Sequence, residues 1–189
     1  MKRQPNKKPK RTMTDAWDYY TQKGFSIFPV QQNKKPVIKW KGFQENKPTA
    51  DELSEWKKTK HNIAIATGVL SDLVIVDADS AEAVRELEAL NSNGVKVPLV
   101  RTPRGGRHYY CRYPTELPGN QANRGKSEKI DLRSEGGYAL APPGRTKDGK
   151  YEWEEELNLD KVPIPLMPKM ALHVSPCALV GHDKKRDRT

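Results

Sequence analysis

The sequence predicts an α+β domain built on a mostly antiparallel or mixed sheet. Three observations carry that prediction: capped, helix-like segments lie in the first half of the chain, short extended segments fill the second, and Gly and Pro punctuate the latter. A length of 189 residues fits one globular domain with tails and suffices to bury a core.

After a basic arm, "MTDAWDYYTQKG" sets apolar and aromatic residues near helical spacing between a Thr14 cap and a terminal Gly24. A strand, "FSIFPV", follows. The stretch "NKKPVIKWKGFQENKPTADELSEWKK" opens as a basic loop broken by Pro and closes as a short helix, capped by Thr49 with Glu52 three residues on. "NIAIATG" alternates as a strand ending at Gly68, "DLVIVDAD" is the next strand, and "SAEAVRELEAL" is a helix capped by Ser80. Beyond it, "VPLVRTP", "RHYYCRY", "KIDLR", "GYALAPP" and "YEWEE" read as extended. No repeat or low-complexity block interrupts them.

The formal charge of +10 points to a polyanionic partner, but it is unevenly spread. The first twelve residues carry six Lys or Arg and no acid, and the last nine add a net +2. Residues 1–13 are therefore expected to be a disordered basic arm and 171–189 a flexible tail, flanking a body over 14–170. Such ends add sequence-independent phosphate affinity that salt weakens, although a solvated tail has the same composition. Cys111 and Cys177 lie far apart without a CxxC, so a disulfide framework is not expected and a reducing, cytoplasmic setting fits. No apolar run approaches the roughly 18 residues of a membrane span, and the basic N-terminus lacks a signal peptide's apolar core, so no membrane partner is expected.

The residues that carry chemistry begin with Asp77 and Asp79. In a strand they share a face, with Cα atoms about 6.6 Å apart, while Val74, Val76 and Ala78 take the opposite, core face. Two like charges on a half-buried face repel, and burial adds to the cost of ionising them. A hard divalent cation such as Mg²⁺ removes that cost, as does solvent at a strand end near a helix N-terminus. The second candidate is "RTPRGGRHYY". Gly105 and Gly106 allow a tight turn, His108 shares a face with Tyr110, and Arg101, Arg104 and Arg107 favour an anion nearby. In "KIDLRSEGGYALAPPG", Asp131 and Arg133 share a strand face, which alone reads equally as an ion pair. If that strand neighbours the one bearing Asp77, three carboxylates and a guanidinium converge as phosphoryl-transfer chemistry requires. "GNQANRGKS" imitates a phosphate-binding loop, but its glycines are one residue too far apart and no helix follows. His173, Cys177 and His182 lack a clear fourth ligand for zinc.

In this order, "YYTQKGFSIFPV", "KKPVIKWKGFQ", "NIAIATG", "VIVDAD", "TPRGGRHYY", "IDLRSEGGYALAPPG" and the following "GKYEW" resemble the bifunctional primase-polymerase (Prim-Pol) domains of the archaeo-eukaryotic primase superfamily, over roughly residues 14 to 165. The resemblance implies an RRM-like catalytic sheet packed beside a smaller N-terminal α/β unit. It also implies template-directed nucleotidyl transfer in plasmid, phage or mobile-element replication. Asp77, Asp79 and Asp131 would then hold Mg²⁺ or Mn²⁺. His108 would meet the incoming nucleotide's phosphates, helped by Gly105, Gly106, Arg107 and Arg133. Where the family's second motif is often Ser-x-His, this chain has Gly106-Arg107-His108, which removes a hydroxyl contact. The implied partners are a single-stranded DNA template, nucleoside triphosphates and, since relatives often continue into one, a replicative helicase. Lys34, Lys35, Lys39 and Lys41 are the candidate template contacts, though a solvated loop would carry the same residues. Two other classes compete. A metal-dependent glycosyltransferase also uses Asp-x-Asp, but residues 14 to 72 lack its nucleotide-binding βαβ pattern. A primase-like module could bind nucleic acid without polymerising.

Overall fold

The computed structural model describes residues 11–91, 94–114, 121–124 and 129–167. The basic arm before residue 11, the tail with His173, Cys177 and His182, and most of Gly119 to Ser127 lie outside the described residues. Among the described residues, no helix is long and apolar enough to cross a membrane.

Helix α1 spans Met13–Gln22, and its cap is Thr12 rather than Thr14. The Asp15 N–H donates to Thr12 Oγ1 at 3.2 Å while the Thr12 N–H donates to the Asp15 carboxylate at 3.1 Å. This reciprocal box satisfies two N–H groups that a helix start otherwise leaves unpaired. The amphipathic pattern then buries Ala16, Trp17, Tyr19 and Tyr20. Strand β1, Ile27–Val30, leads into a tight turn in which the Gln31 N–H donates to the Lys35 carbonyl at 2.8 Å. A short 3₁₀ turn, Trp40–Gln44, precedes α2, Ala50–Lys57, where Thr49 and Glu52 form the expected capping box.

Strands β2, Asn62–Ala66, and β3, Val74–Ala78, come next. Helix α3, Ala81–Leu90, starts where Ser80 Oγ accepts the Ala83 N–H at 3.2 Å. The remaining strands are β4, Leu99–Arg101; β5, Arg107–Cys111; β6, Gln121–Arg124; β7, Ile130–Arg133; and β8, Tyr138–Leu140. A hairpin of β9, Arg145–Thr146, and β10, Gly149–Lys150, precedes β11, Glu152–Trp153.

Two larger sheets organise these strands, both antiparallel throughout, as an α+β chain of this kind allows. One has the order β1-β2-β8, and the other β11-β4-β5-β3-β7-β6. The smaller sheet is not built from early residues alone, because β8 returns from beyond residue 137 to complete it. Tyr20 reinforces that return: its hydroxyl donates to the Pro142 carbonyl at 2.5 Å and accepts the Trp153 indole N–H at 3.2 Å.

The six-stranded sheet is buried on both faces around β3. On one side Val74, Val76, Ala78, Cys111, Ile130 and Leu132 pack against Ala83, Val84 and Leu87 of α3. On the other, Ile75, Val100 and Tyr110 join the larger core of α1, α2 and the smaller sheet. The face assigned to the carboxylates is thus also a core face lower down, with Ile75 fully buried beneath Asp77. A continuous apolar run, Leu73 to Val76, suits such a two-sided strand better than strict alternation. Trp17 and Trp56, with ring centroids 5.7 Å apart, pin α1 to α2. Burying each such ring contributes about 1.5–3 kcal/mol.

Candidate active site

Strand register builds the site. Asp77 of β3 pairs with His108 of β5 on one side and Asp131 of β7 on the other. One ladder step of two residues away, Ile75 lies between Tyr110 and Arg133, so Arg133 shares the face of Asp131. Asp79 stands just past the end of β3, where its N–H donates to the Lys129 carbonyl at 2.8 Å and its side chain is exposed. One carboxylate oxygen from each of Asp77, Asp79 and Asp131 lies within 4.8 Å of the others.

Charge is unevenly balanced across this cluster. The Arg133 Nη2 lies 2.5 Å from Asp131 Oδ2 and 3.4 Å from Asp77 Oδ2, bridging the two acids. His108 Nε2 stands 3.2 Å from Asp77 Oδ1, and this buried oxygen has no hydrogen-bond partner of good geometry among the described residues. Burial alone would raise the Asp77 carboxyl, but His108, Arg133 and Lys34 outweigh it and hold the group at about 2. Asp79 goes the other way: although it keeps solvent access, desolvation by the protein around its carboxyl comes first, then the charges of Asp77 and Asp131, and together they push it above the ordinary carboxylate value. A bound cation would reverse that penalty. The buried, unsatisfied Asp77 oxygen and the raised Asp79 therefore fit a divalent ion held by hard oxygen ligands.

Beside the acids runs a cleft of about 220 Å³, between the two sheets. Lys34, Asp77, His108 and Arg133 form its polar wall; Val30 and the stretch from Gly136 to Leu140 form the rest. His108 is itself buried, its Nδ1 without a partner among the described residues, and its ring lies 5.5 Å from that of Tyr151.

The glycines of "RTPRGGRHYY" have distinct reasons. Gly105 takes φ +83 in the turn that joins β4 to β5, a region side chains rarely adopt. Gly106 has no such dihedral constraint; instead a Cβ there would lie 2.3 Å from the Ala78 carbonyl oxygen and 3.2 Å from Asp79 Cα. The turn is therefore pressed directly against the backbone that carries Asp79.

The structure brings together Asp77, Asp79, Asp131, His108 and Arg133, with Gly105 and Gly106 supporting them. Arg107 stands apart. Although the resemblance implies a place beside the nucleotide, strand alternation turns it to the α3 face, where it pairs with Glu88. Arg101 and Arg104 likewise meet Glu154 and Asp148 at the edge, at 3.5 and 2.9 Å. Lys34, Lys35, Lys39 and Lys41 are all exposed on the turn after β1 and the 3₁₀ segment, and of these Lys34 also lines the cleft. Tyr138 and Tyr151 were not legible as site residues. Their only signal was position, Tyr138 just after the Gly136-Gly137 pair and Tyr151 inside "GKYEW".

A family model described as bifunctional DNA primase/polymerase, N-terminal, matches residues 16–170, most of the chain. Among curated proteins, none matches it.

Proposed function

The chain belongs to the Prim-Pol family, and from that membership we propose that it performs template-directed nucleotidyl transfer, making and extending primers in the replication of a plasmid, phage or other mobile element. The observation that carries the proposal is the convergence of Asp77, Asp79 and Asp131 from two strands and a strand end, beside a cleft walled by His108 and Arg133. The six-stranded sheet is read as the RRM-like catalytic sheet, with the smaller sheet, α1 and α2 as the accompanying α/β unit.

In this reading Asp77, Asp79 and Asp131 hold Mg²⁺ or Mn²⁺. When bound, such ions lower the pKa of the primer 3′-hydroxyl and neutralise charge on the departing pyrophosphate. The chain's own contribution is positioning. Asp77 stays ionised at any physiological pH because its neighbours hold its carboxyl at about 2, so a ligand is always ready. His108 and Arg133 face the cleft from opposite sides of Asp77 and orient the triphosphate for in-line attack. The turn at Gly105 and Gly106 fixes Asp79. Lys35, Lys39 and Lys41 offer exposed charge to a single-stranded template, whose backbone such contacts grip without reading sequence. A replicative helicase is the partner that would supply that strand.

The deciding measurement is incorporation of labelled nucleotides on single-stranded DNA with Mg²⁺ or Mn²⁺, for the wild type and Asp77→Ala. Metal-dependent incorporation abolished by the substitution supports the proposal. DNA binding without incorporation, unchanged in Asp77→Ala, would replace the enzyme with a nucleic-acid-binding module.

A further inference from the structure

We infer that Lys34 binds a phosphate of the incoming nucleoside triphosphate and does not belong to the template path, an inference that rests on the nucleotidyl-transfer reading above. Four basic residues follow β1 closely, and they divide in space. All four are exposed to solvent, but Lys34 is the one of the four that also lines the cleft shared by Asp77, His108 and Arg133.

The local build holds Lys34 there. It adopts φ +68, a left-handed conformation rare for a side-chain-bearing residue, at a turn closed by its own N–H donating to the Gln31 carbonyl at 2.9 Å. Asn33, a residue better suited to that conformation, sits one position earlier. From the facing wall the Tyr138 hydroxyl donates to the Lys34 carbonyl at 3.1 Å. The ammonium lies 5.4 Å from the centre of the Tyr151 ring, which in turn packs beside His108. Strain of this kind persists where surrounding contacts over-determine it, and it concentrates at functional sites. Here the contacts come from two later segments of the chain: Tyr138 lines the cleft, and Tyr151 packs beside His108, which lines it too.

The chemistry of the cleft selects the ligand. Lys34, His108 and Arg133 present donors around one opening, and Val30, Ala139 and Leu140 present an apolar surface beside them. A molecule with a clustered anionic end and a less polar remainder matches this, as a nucleoside triphosphate does. A template strand, whose charges are spaced along an exposed backbone, is better served by the outer lysines. A lysine ammonium serves a phosphate as a compact charge that needs no fixed fork geometry.

Two substitutions test the inference, compared with Lys35→Met, which should lower the DNA salt slope and leave nucleotide affinity unchanged. Lys34→Met keeps length and removes charge; Lys34→Gly also relieves the left-handed conformation, so its melting temperature should hold even if that of Lys34→Met falls. The readouts are equilibrium binding of a fluorescent deoxynucleoside triphosphate with Mn²⁺, KM in the incorporation assay, and the salt dependence of single-stranded DNA binding. Both Lys34 variants should weaken nucleotide binding and raise KM about tenfold, the loss of one charge-assisted contact, with the DNA salt slope unchanged. The inference is overturned if nucleotide affinity is unaltered in both, and Lys34 is assigned to the template if the slope instead drops by about 0.7. A wild type that neither binds nor incorporates nucleotide would overturn the enzymatic reading itself. A wild type that binds it, with variants equally competent, would remove only the role of Lys34.

Discussion

Substituting Gly106 by Ala tests how closely fold and site are coupled. The added Cβ would meet the Ala78 carbonyl oxygen at 2.3 Å, about 0.7 Å inside the 3.0 Å that such contacts essentially never breach, with Thr102 Oγ1 also at 3.0 Å. The nearest obstacle is backbone in the central strand, so no side-chain rotation relieves it. Either β5 or the end of β3 must give way, and overpacking of this kind costs about 1–3 kcal/mol. For a domain of this size, about 2 kcal/mol lowers the melting temperature by roughly 4–8 °C. Activity should suffer more than stability does. The displaced backbone runs directly into Asp79, and a shift of about 1 Å in a reacting constellation costs on the order of a hundredfold in rate. Thermal unfolding and steady-state incorporation on the same preparation separate the two effects, assayed well below the variant's melting temperature. Gly106→Ser should behave similarly, although serine is common at this motif position in the family. Wild-type melting and a wild-type rate in Gly106→Ala would refute the reasoning, because the turn would then not press on Asp79.

Asp77→Asn should reduce incorporation by more than about a hundredfold and abolish the rise in melting temperature that Mn²⁺ gives the wild type; an equal rise in the variant would place the ion elsewhere. Asp160 predicts a pH effect remote from the site. Burial works against its ionisation, but Arg11, Lys23 and Tyr19 outweigh that and hold its carboxyl at about 2. Since the unfolded group titrates near about 3.9, its contribution is present above that pH and is lost as pH falls towards 2. Urea midpoints between pH 5 and 2 should therefore fall less steeply for Asp160→Asn than for the wild type, and parallel curves would contradict this. Cys111, buried and with its thiol pushed up to about 12, should resist iodoacetamide until the protein unfolds, as intact mass after native and denaturing alkylation would record.

What the sequence revealed was what local patterns encode. Thr49 with Glu52, and Ser80 before α3, were readable because a cap depends on residues three apart. The same pattern exists at Thr12 and Asp15, but it overlaps the basic arm, and the later Thr14 drew the assignment. The separate motifs of the site were legible too, with Asp77, Asp79, His108 and Asp131 each on a strand or strand end. Their adjacency was only conditional, because strand order is a non-local property: nothing near Asp131 reveals that β7 pairs with β3. The same limit hid β8 as the third strand of the smaller sheet, and with it the wall that Tyr138 adds to the cleft. Strand β6 went unread because "QANR" is polar and lacks alternation. Arg107 shows the limit of grouping by sequence adjacency. A charge beside a candidate site histidine invites grouping, yet neighbours in a strand face apart.

The register that sets Asp77 between His108 and Asp131 has a practical corollary. Side chains in a ladder alternate, so slipping either neighbouring strand by one residue would carry His108 or Asp131 through to the α3 side. A misregistered sheet could keep its backbone hydrogen bonds, and so pass as folded by far-ultraviolet circular dichroism, yet it would hold only part of the cluster. Enzymatic turnover is thus a more demanding readout of correct assembly than secondary structure. In a refolding experiment it would count only molecules in which both pairings on β3 had locked in the native alignment.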